Sequence, residues 1–239
     1  MGAPFFKFKQ FTVWHDRCSM KVGTDGVLLG AWADVAGATD ILDVGTGSGV
    51  VALMLAQRNQ SAHVCGVELD ADAAQQAAEN AAASPWAERV EVLCTDFTSY
   101  APGHTFQHIV SNPPYYGDSL CNPDPRKSMA RHLVTLSYES LFAHSSHLLD
   151  AGGLLSLIFP SEAEPAVSSA AWRNHFFPLR QTRVFTKPGK PCRRILLTLR
   201  YDPVPDAYDT ICHGDDLMLL DSQGNRSADY MRLTQEFYL

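Results

Sequence analysis

The sequence predicts an α/β fold, a mostly parallel sheet with helices on both faces. Strand-like segments alternate with helical ones from residue 40 to residue 172. A glycine-dense turn, Gly45-Thr46-Gly47-Ser48-Gly49, follows the first of these strands. Two late strands, 179–186 and 193–201, are joined only by Lys187-Pro188-Gly189-Lys190-Pro191-Cys192. Strands separated by helices pair in parallel, because the crossover needs a helix's length, whereas a short loop returns the chain antiparallel. Seven strands with an antiparallel edge are expected.

The elements follow in order. Residues 1–22 carry spaced apolar side chains (Phe6, Phe8, Phe11, Val13) and read as a short extended arm. Thr24 or Asp25 is placed to cap a helix reaching about Ala36. Asp40–Val44 is a strand, 49–58 a helix, His63–Glu68 a strand, and 70–83 an alanine-rich helix with an acidic start. Val90–Cys94 and Phe106–Ser111 are strands, the second ending at Asn112-Pro113-Pro114. A Pro-rich polar loop covers about 116–130, then come a helix over 137–149, a strand over 153–159 and a helix over 161–172. The whole is expected to be one domain: arm and helix 1–36, core 37–201, acidic extension 202–239.

Composition narrows the class. The chain has 239 residues, 46% hydrophobic and 19% charged, which excludes a disordered polymer. Its longest apolar runs, such as 154–160, are too short for a bilayer, and the N-terminus has no signal-peptide core. Six cysteines without a C-x-x-C pair, and histidines without ligand spacing, indicate neither a metal site nor a disulfide framework, so a reducing cytoplasm is expected. Net charge is −7, yet residues 171–200 hold eight of the 19 Lys and Arg and no acid, while residues 201–239 hold eight acids and two bases. A basic segment inside an acidic chain points to an RNA partner through Lys187, Lys190, Arg193 and Arg194.

The glycine turn lets the backbone approach a ligand without a Cβ clash, and Glu68, at the end of the next strand, is placed to accept two ribose hydroxyls. The dinucleotide fingerprint wants a third glycine at position 50, where this chain has Val50. The pattern Asp43-x-Gly45-x-Gly47-x-Gly49 instead resembles the S-adenosylmethionine loop of the class I, Rossmann-like methyltransferases. That resemblance implies S-adenosylmethionine as cofactor, with Glu68 on the ribose and Asp96 on the adenine amine. Asn112-Pro113-Pro114-Tyr115 fits an amine substrate. The Asn112 side-chain oxygen and the Pro113 carbonyl can accept the two N–H groups of an exocyclic amine, Pro114 stiffens the turn, and Tyr115 offers a face for stacking. DNA and RNA adenine-N6 and release-factor glutamine methyltransferases share this motif, and rRNA guanine-N2 methyltransferases carry it with a variant aromatic. It sets a planar amine or amide as substrate without choosing among them.

The segments Phe8–Val13 and Met20–Trp32, with Ala130-Arg131-His132 and Lys187-Pro188-Gly189, resemble the bacterial tRNA(Val) (adenine-N6) methyltransferases from Phe8 to about Arg200. The resemblance implies a tRNA substrate, modified at the adenine 3′ of the anticodon. It places Lys21 and Thr24 near the cofactor carboxylate and adds Arg131 to the RNA contacts. A protein glutamine methyltransferase and a non-catalytic binding module are the competing readings, disfavoured by the Met20–Trp32 run and by the intact Asn-Pro-Pro-Tyr respectively. No membrane or protein partner is indicated, and a monomer is expected.

Overall fold

The computed structural model describes residues 3–114, 136–204 and 212–239. In chain order the elements are β1 (Phe5–Lys7), β2 (Thr12–Trp14), α1 (Thr24–Trp32), β3 (Asp40–Val44), α2 (Val50–Arg58), β4 (His63–Glu68), α3 (Ala71–Ala82), β5 (Val90–Cys94), β6 (Phe106–Ser111), α4 (Tyr138–Leu148), β7 (Leu149–Pro160), α5 (Glu164–Arg173), β8 (Phe176–Phe185), β9 (Cys192–Tyr201), β10 (His213–Met218) and α6 (Ala228–Thr234). The main sheet has the order β10-β8-β9-β7-β6-β3-β4-β5, and β1-β2 is a separate antiparallel pair. Strands β5, β4, β3, β6 and β7 are mutually parallel, and β9 runs antiparallel between β7 and β8.

Alternate residues of the central strands feed two cores. Ile41, Val110 and Leu196 face α1, α2 and the arm. Their chain neighbours Leu42, Ile109 and Leu197 face α4 and α5. That period of two is the signature of a sheet covered on both faces.

The structure departs from the sequence reading in four places. The main sheet has eight strands, not seven, because β10 lies inside the extension and pairs in parallel with β8. The arm is a hairpin whose Phe8, Phe11 and Val13 are buried, stacked in part on the C-terminal Tyr238. Helix α1 starts after Gly23 with no side-chain cap and stops at Trp32. Asp25 instead accepts a hydrogen bond from Arg194 Nε at 2.8 Å. Strand β7 begins at Leu149, four residues early. Among the described residues, no helix is long and apolar enough to cross a membrane.

A buried polar chain crosses the middle of the sheet: His108 Nε2 to Ser156 Oγ at 2.8 Å, and Ser156 Oγ to Thr198 Oγ1 at 2.7 Å. Burial pushes the His108 imidazole from 6.5 down to about 4, an effect that Asp34 opposes and Arg58 reinforces. The folded state thus takes up a proton later than the unfolded chain, and this contribution to stability is lost as pH falls from 6.5 towards 4. Denaturant unfolding of wild type and His108→Gln across that range should show a wild-type acid slope that the variant lacks.

Candidate active site

Parallel strands β3, β4, β5 and β6 deliver their carboxyl ends to one edge, where the sheet order reverses between β3 and β6. Ligands in open α/β sheets bind outside this edge. A cavity of about 740 Å³ opens there, within the range of small-molecule sites. Its walls include Gly45 and Gly47 after β3, Glu68 at the end of β4, Asp96 and Phe97 after β5, and Asn112, Pro113 and Pro114 after β6.

The turn after β3 is shaped by glycine. Gly45, Gly47 and Gly49 have φ of 70°, 55° and 80°. A Cβ on Gly49 would also lie 3.3 Å from Ala77 Cβ on α3. The Glu68 carboxylate fastens the turn: Oε2 accepts from Gly47 N at 2.9 Å, and Oε1 accepts from Leu69 N at 2.9 Å and Asp70 N at 3.0 Å. Asp43 lies below, 1% exposed and outside the cavity wall. Its Oδ2 accepts from the Thr46 hydroxyl at 2.6 Å and from Ala52 N at 3.1 Å, tying the turn to the first turn of α2. Burial pushes this carboxyl from 3.8 up to about 7, against the pull of those two donors.

The other walls are held as firmly. Ser111 Oγ donates to Val44 O at 2.9 Å and fixes the start of Asn112-Pro113-Pro114 beside the glycine turn. Asp96 Oδ1 caps the short helix 97–99 through Thr98 N and Thr98 Oγ1, both at 2.8 Å. Leu136 and Ser140 close the side nearest α4, and Cys18, Ser19 and Met20 of the arm form the wall beyond Glu68.

The structure therefore brings together Gly45, Gly47, Glu68, Asp96, Asn112, Pro113 and Pro114. Gly49 and Asp43 support them from behind. Lys21 and Thr24 are exposed and outside the wall, which the arm supplies one residue earlier. Tyr115 and Arg131 lie outside the described residues. Cys18–Met20, Leu69, Phe97, Leu136 and Ser140 went unread in the sequence. The arm residues and Phe97 adjoin residues that were read, whereas Leu136 and Ser140 carry no local signal.

The basic segment is largely neutralised from elsewhere in the fold. Arg173 pairs with Glu139, Arg180 with Asp215, Arg183 with Glu164, Arg194 with Asp25 and Arg200 with Asp202. Among the described residues, Lys187, Lys190 and Arg193 are exposed and have no carboxylate partner. Their turn lies where β7 ends and β9 begins, Pro160 pairing with Arg194, so it shares the edge that carries the cavity.

A methyltransferase small domain profile matches residues 27–168. A Bacteroides thetaiotaomicron protein named tRNA1(Val) (adenine(37)-N6)-methyltransferase is 48% identical, the match covering 100% of this chain and 99% of the relative. An Enterobacter protein of the same name is 44% identical over 98% of this chain and 94% of its own. The fold also matches the crystal structure of a predicted O-methyltransferase from Agrobacterium tumefaciens, with a TM-score of 0.68, 22% identity, and 89% and 96% of the two chains covered.

The buried Asp43 has a measurable signature. Its folded form holds a proton that the unfolded chain has released, so between pH 3.8 and about 7 stability falls as pH rises. Subtracting the unfolding free energy of Asp43→Asn from that of wild type should isolate this falling slope. A flat difference would mean that the carboxyl ionises freely in the fold.

Proposed function

The chain belongs to the tRNA1(Val) (adenine(37)-N6)-methyltransferase family, and on that premise we propose that it transfers a methyl group from S-adenosylmethionine to N6 of the adenine 3′ of the anticodon in tRNA(Val). The observation that carries this reading is the convergence of the glycine turn, two strand-end carboxylates and Asn112-Pro113 on one cavity.

The cavity's construction fits the cofactor. Gly45 and Gly47 present backbone to the cavity at positive φ, a conformation that residues with side chains rarely adopt. Glu68 would hold the ribose through the acceptor site left on Oε2 after its three backbone bonds, and Asp96 the adenine amine through Oδ2, which takes no part in the Thr98 cap. S-adenosylmethionine supplies an electrophilic methyl on a positively charged sulfur.

An aromatic amine is a poor nucleophile because its lone pair is delocalised into the ring. The Asn112 side-chain oxygen and the Pro113 carbonyl would accept its two N–H bonds and draw the nitrogen towards tetrahedral geometry. Tyr115 would hold the base by stacking. These groups would orient the nitrogen ~3–3.5 Å from the methyl, in line with the leaving sulfur. No base is needed before attack, since the amine proton becomes acidic only after the new bond forms. The target base must first leave its stack, which costs a few kcal/mol.

Lys187, Lys190 and Arg193 are our RNA contacts on the cavity edge, with Arg131 as a further one. Arg194 serves that face through its pair with Asp25. The reading is of a single catalytic domain, working as a monomer in the cytoplasm.

Two measurements test this. In Asn112→Ala, turnover on tRNA(Val) transcript should fall about 10²–10³-fold, as when one preorganised polar group is lost, with S-adenosylmethionine affinity much less affected. Turnover within a few-fold of wild type would defeat the assignment. In a salt titration of tRNA binding, Lys187→Ala/Lys190→Ala should flatten the log–log slope by roughly 1.4, about 0.7 per lost phosphate contact. An unchanged slope would mean that the RNA docks elsewhere.

A further inference from the structure

Two buried amides on one face of α3 hold the arm, and neither belongs to the cavity wall. Gln76 is 1% exposed and Asn80 2%. Four residues apart on a helix, they lie one above the other. Asn80 makes three bonds: Oδ1 accepts from Trp14 N at 3.0 Å, and Nδ2 donates to Trp14 O at 2.8 Å and to Ser48 O at 2.9 Å. It therefore joins the arm to the glycine turn. Gln76 Oε1 accepts from Arg17 N at 3.0 Å and from Cys18 Sγ at 3.3 Å, and its Nε2 donates to Asp16 Oδ1 at 2.7 Å. Glu79, on the same helix, pairs with the Arg17 side chain. Residues 14–18 are thus fastened to α3 at both ends, and Cys18, Ser19 and Met20 follow directly as the cavity wall.

We propose that Gln76 and Asn80 are positioning residues for S-adenosylmethionine, setting the arm wall and the glycine turn at a fixed separation without touching the ligand. The proposal rests on the cofactor reading above. Three segments with no covalent proximity meet in these amides: the arm, the turn after β3 and the helix after β4. A buried amide that loses its partner costs more than the bond was worth, so the segments shift together or not at all. When S-adenosylmethionine fills the cavity, the arm must already be in place on one side and Gly47 on the other. Loosening either amide leaves the chemical groups at Asn112 unchanged and makes ordering of the arm part of binding.

The test separates binding from chemistry. Gln76→Ala and Asn80→Ala should each weaken S-adenosylmethionine about tenfold, by calorimetry and by KM, with kcat at saturating cofactor within about twofold of wild type. Cys18 reports the arm directly. Burial and the charges of Glu68 and Asp70 push its thiol up to about 11, so it should alkylate slowly in wild type, faster in Gln76→Ala, and be protected by S-adenosylmethionine, as followed on its peptide by mass spectrometry.

A swap guards against simple misfolding. Gln76→Glu sets a second carboxylate against Asp16 and should weaken the cofactor. Adding Asp16→Asn restores a donor–acceptor pair with its direction reversed and should recover most of the affinity. Unchanged affinity in folded Gln76→Ala and Asn80→Ala, or no recovery in the swap, would overturn the inference alone. Failure of the wild-type protein to bind S-adenosylmethionine would overturn the catalytic reading and this inference with it.

Discussion

Three backbone N–H groups converge on the Glu68 carboxylate, and the geometry of the cavity depends on that convergence. One comes from Gly47 and two from the residues that lead into α3. A single side chain at the end of β4 thus fixes both the turn after β3 and the entry to the next helix. Charge-assisted bonds to a carboxylate are stronger than neutral ones, which suits a turn whose glycines cost conformational entropy. In the proposed reading Oε2, which takes only the Gly47 bond, also receives the ribose. Asp43 and Ser111 complete the frame from below and from the side, through Thr46, Ala52 and Val44. The turns after β3 and β4 are short and tied, so that side of the site inherits the rigidity of the sheet.

The charge pattern takes on a different meaning once the fold is known. The eight cations of 171–200 and the acids that follow look in sequence like an RNA-binding segment and a separate tail. In space β10 lies beside β8, with Asp215 against Thr182 and near Arg180. Arg180 also lies over the Trp32 ring, 4.4 Å from its centroid, and Trp32 Nε1 donates to Thr182 Oγ1 at 2.8 Å. Arg180 and Asp215 are here two sides of an intramolecular seam that docks an extra strand onto the sheet, while Arg173, Arg183 and Arg194 pair with acids earlier in the chain. Within 171–200, Lys187 and Lys190 in the turn between β8 and β9 and Arg193 at the start of β9 keep no carboxylate partner among the described residues. A surface ion pair is worth little in stability, but it removes an arginine from the set available to phosphate.

The sequence disclosed the centre of this fold better than its margins, for a physical reason. Strands β3, β4, β5 and β6 are short, apolar or alternating, and bounded by glycine, acid or Asn-Pro, so local signals coincide with tertiary burial. Helix α3 announces itself by its alanines and by Asp70, which caps it through Ala73 N. The candidate site was legible wherever a strand end carries a motif. The margins were not, because their burial is decided by distant partners. Phe8 and Phe237 are core residues only because the two ends of the chain meet. Strand β10, His-Gly-Asp-Asp-Leu-Met, has one buried position and four exposed ones, too little pattern to read as a strand. Asp25, like Thr24, has the local character of a helix cap, whereas its partner Arg194 lies 169 residues away.

That meeting of the chain ends bears on biosynthesis. Lys9 donates to Gln235 O through Nζ and to Phe237 O through its backbone N–H, and Gln57 Nε2 donates to Glu236 O. The arm that walls the cavity is therefore clasped by residues made 226 positions later. A nascent chain that has emerged as far as α5 already contains the glycine turn, Glu68 and the Asn-Pro-Pro segment, but not the clasp that seats the arm. Contacts between such remote segments carry a larger loop-closure entropy than local ones. The arm is then seated only after residues 235–238 have been made, and a truncation that removes them acts on the cavity wall through Lys9 and the arm.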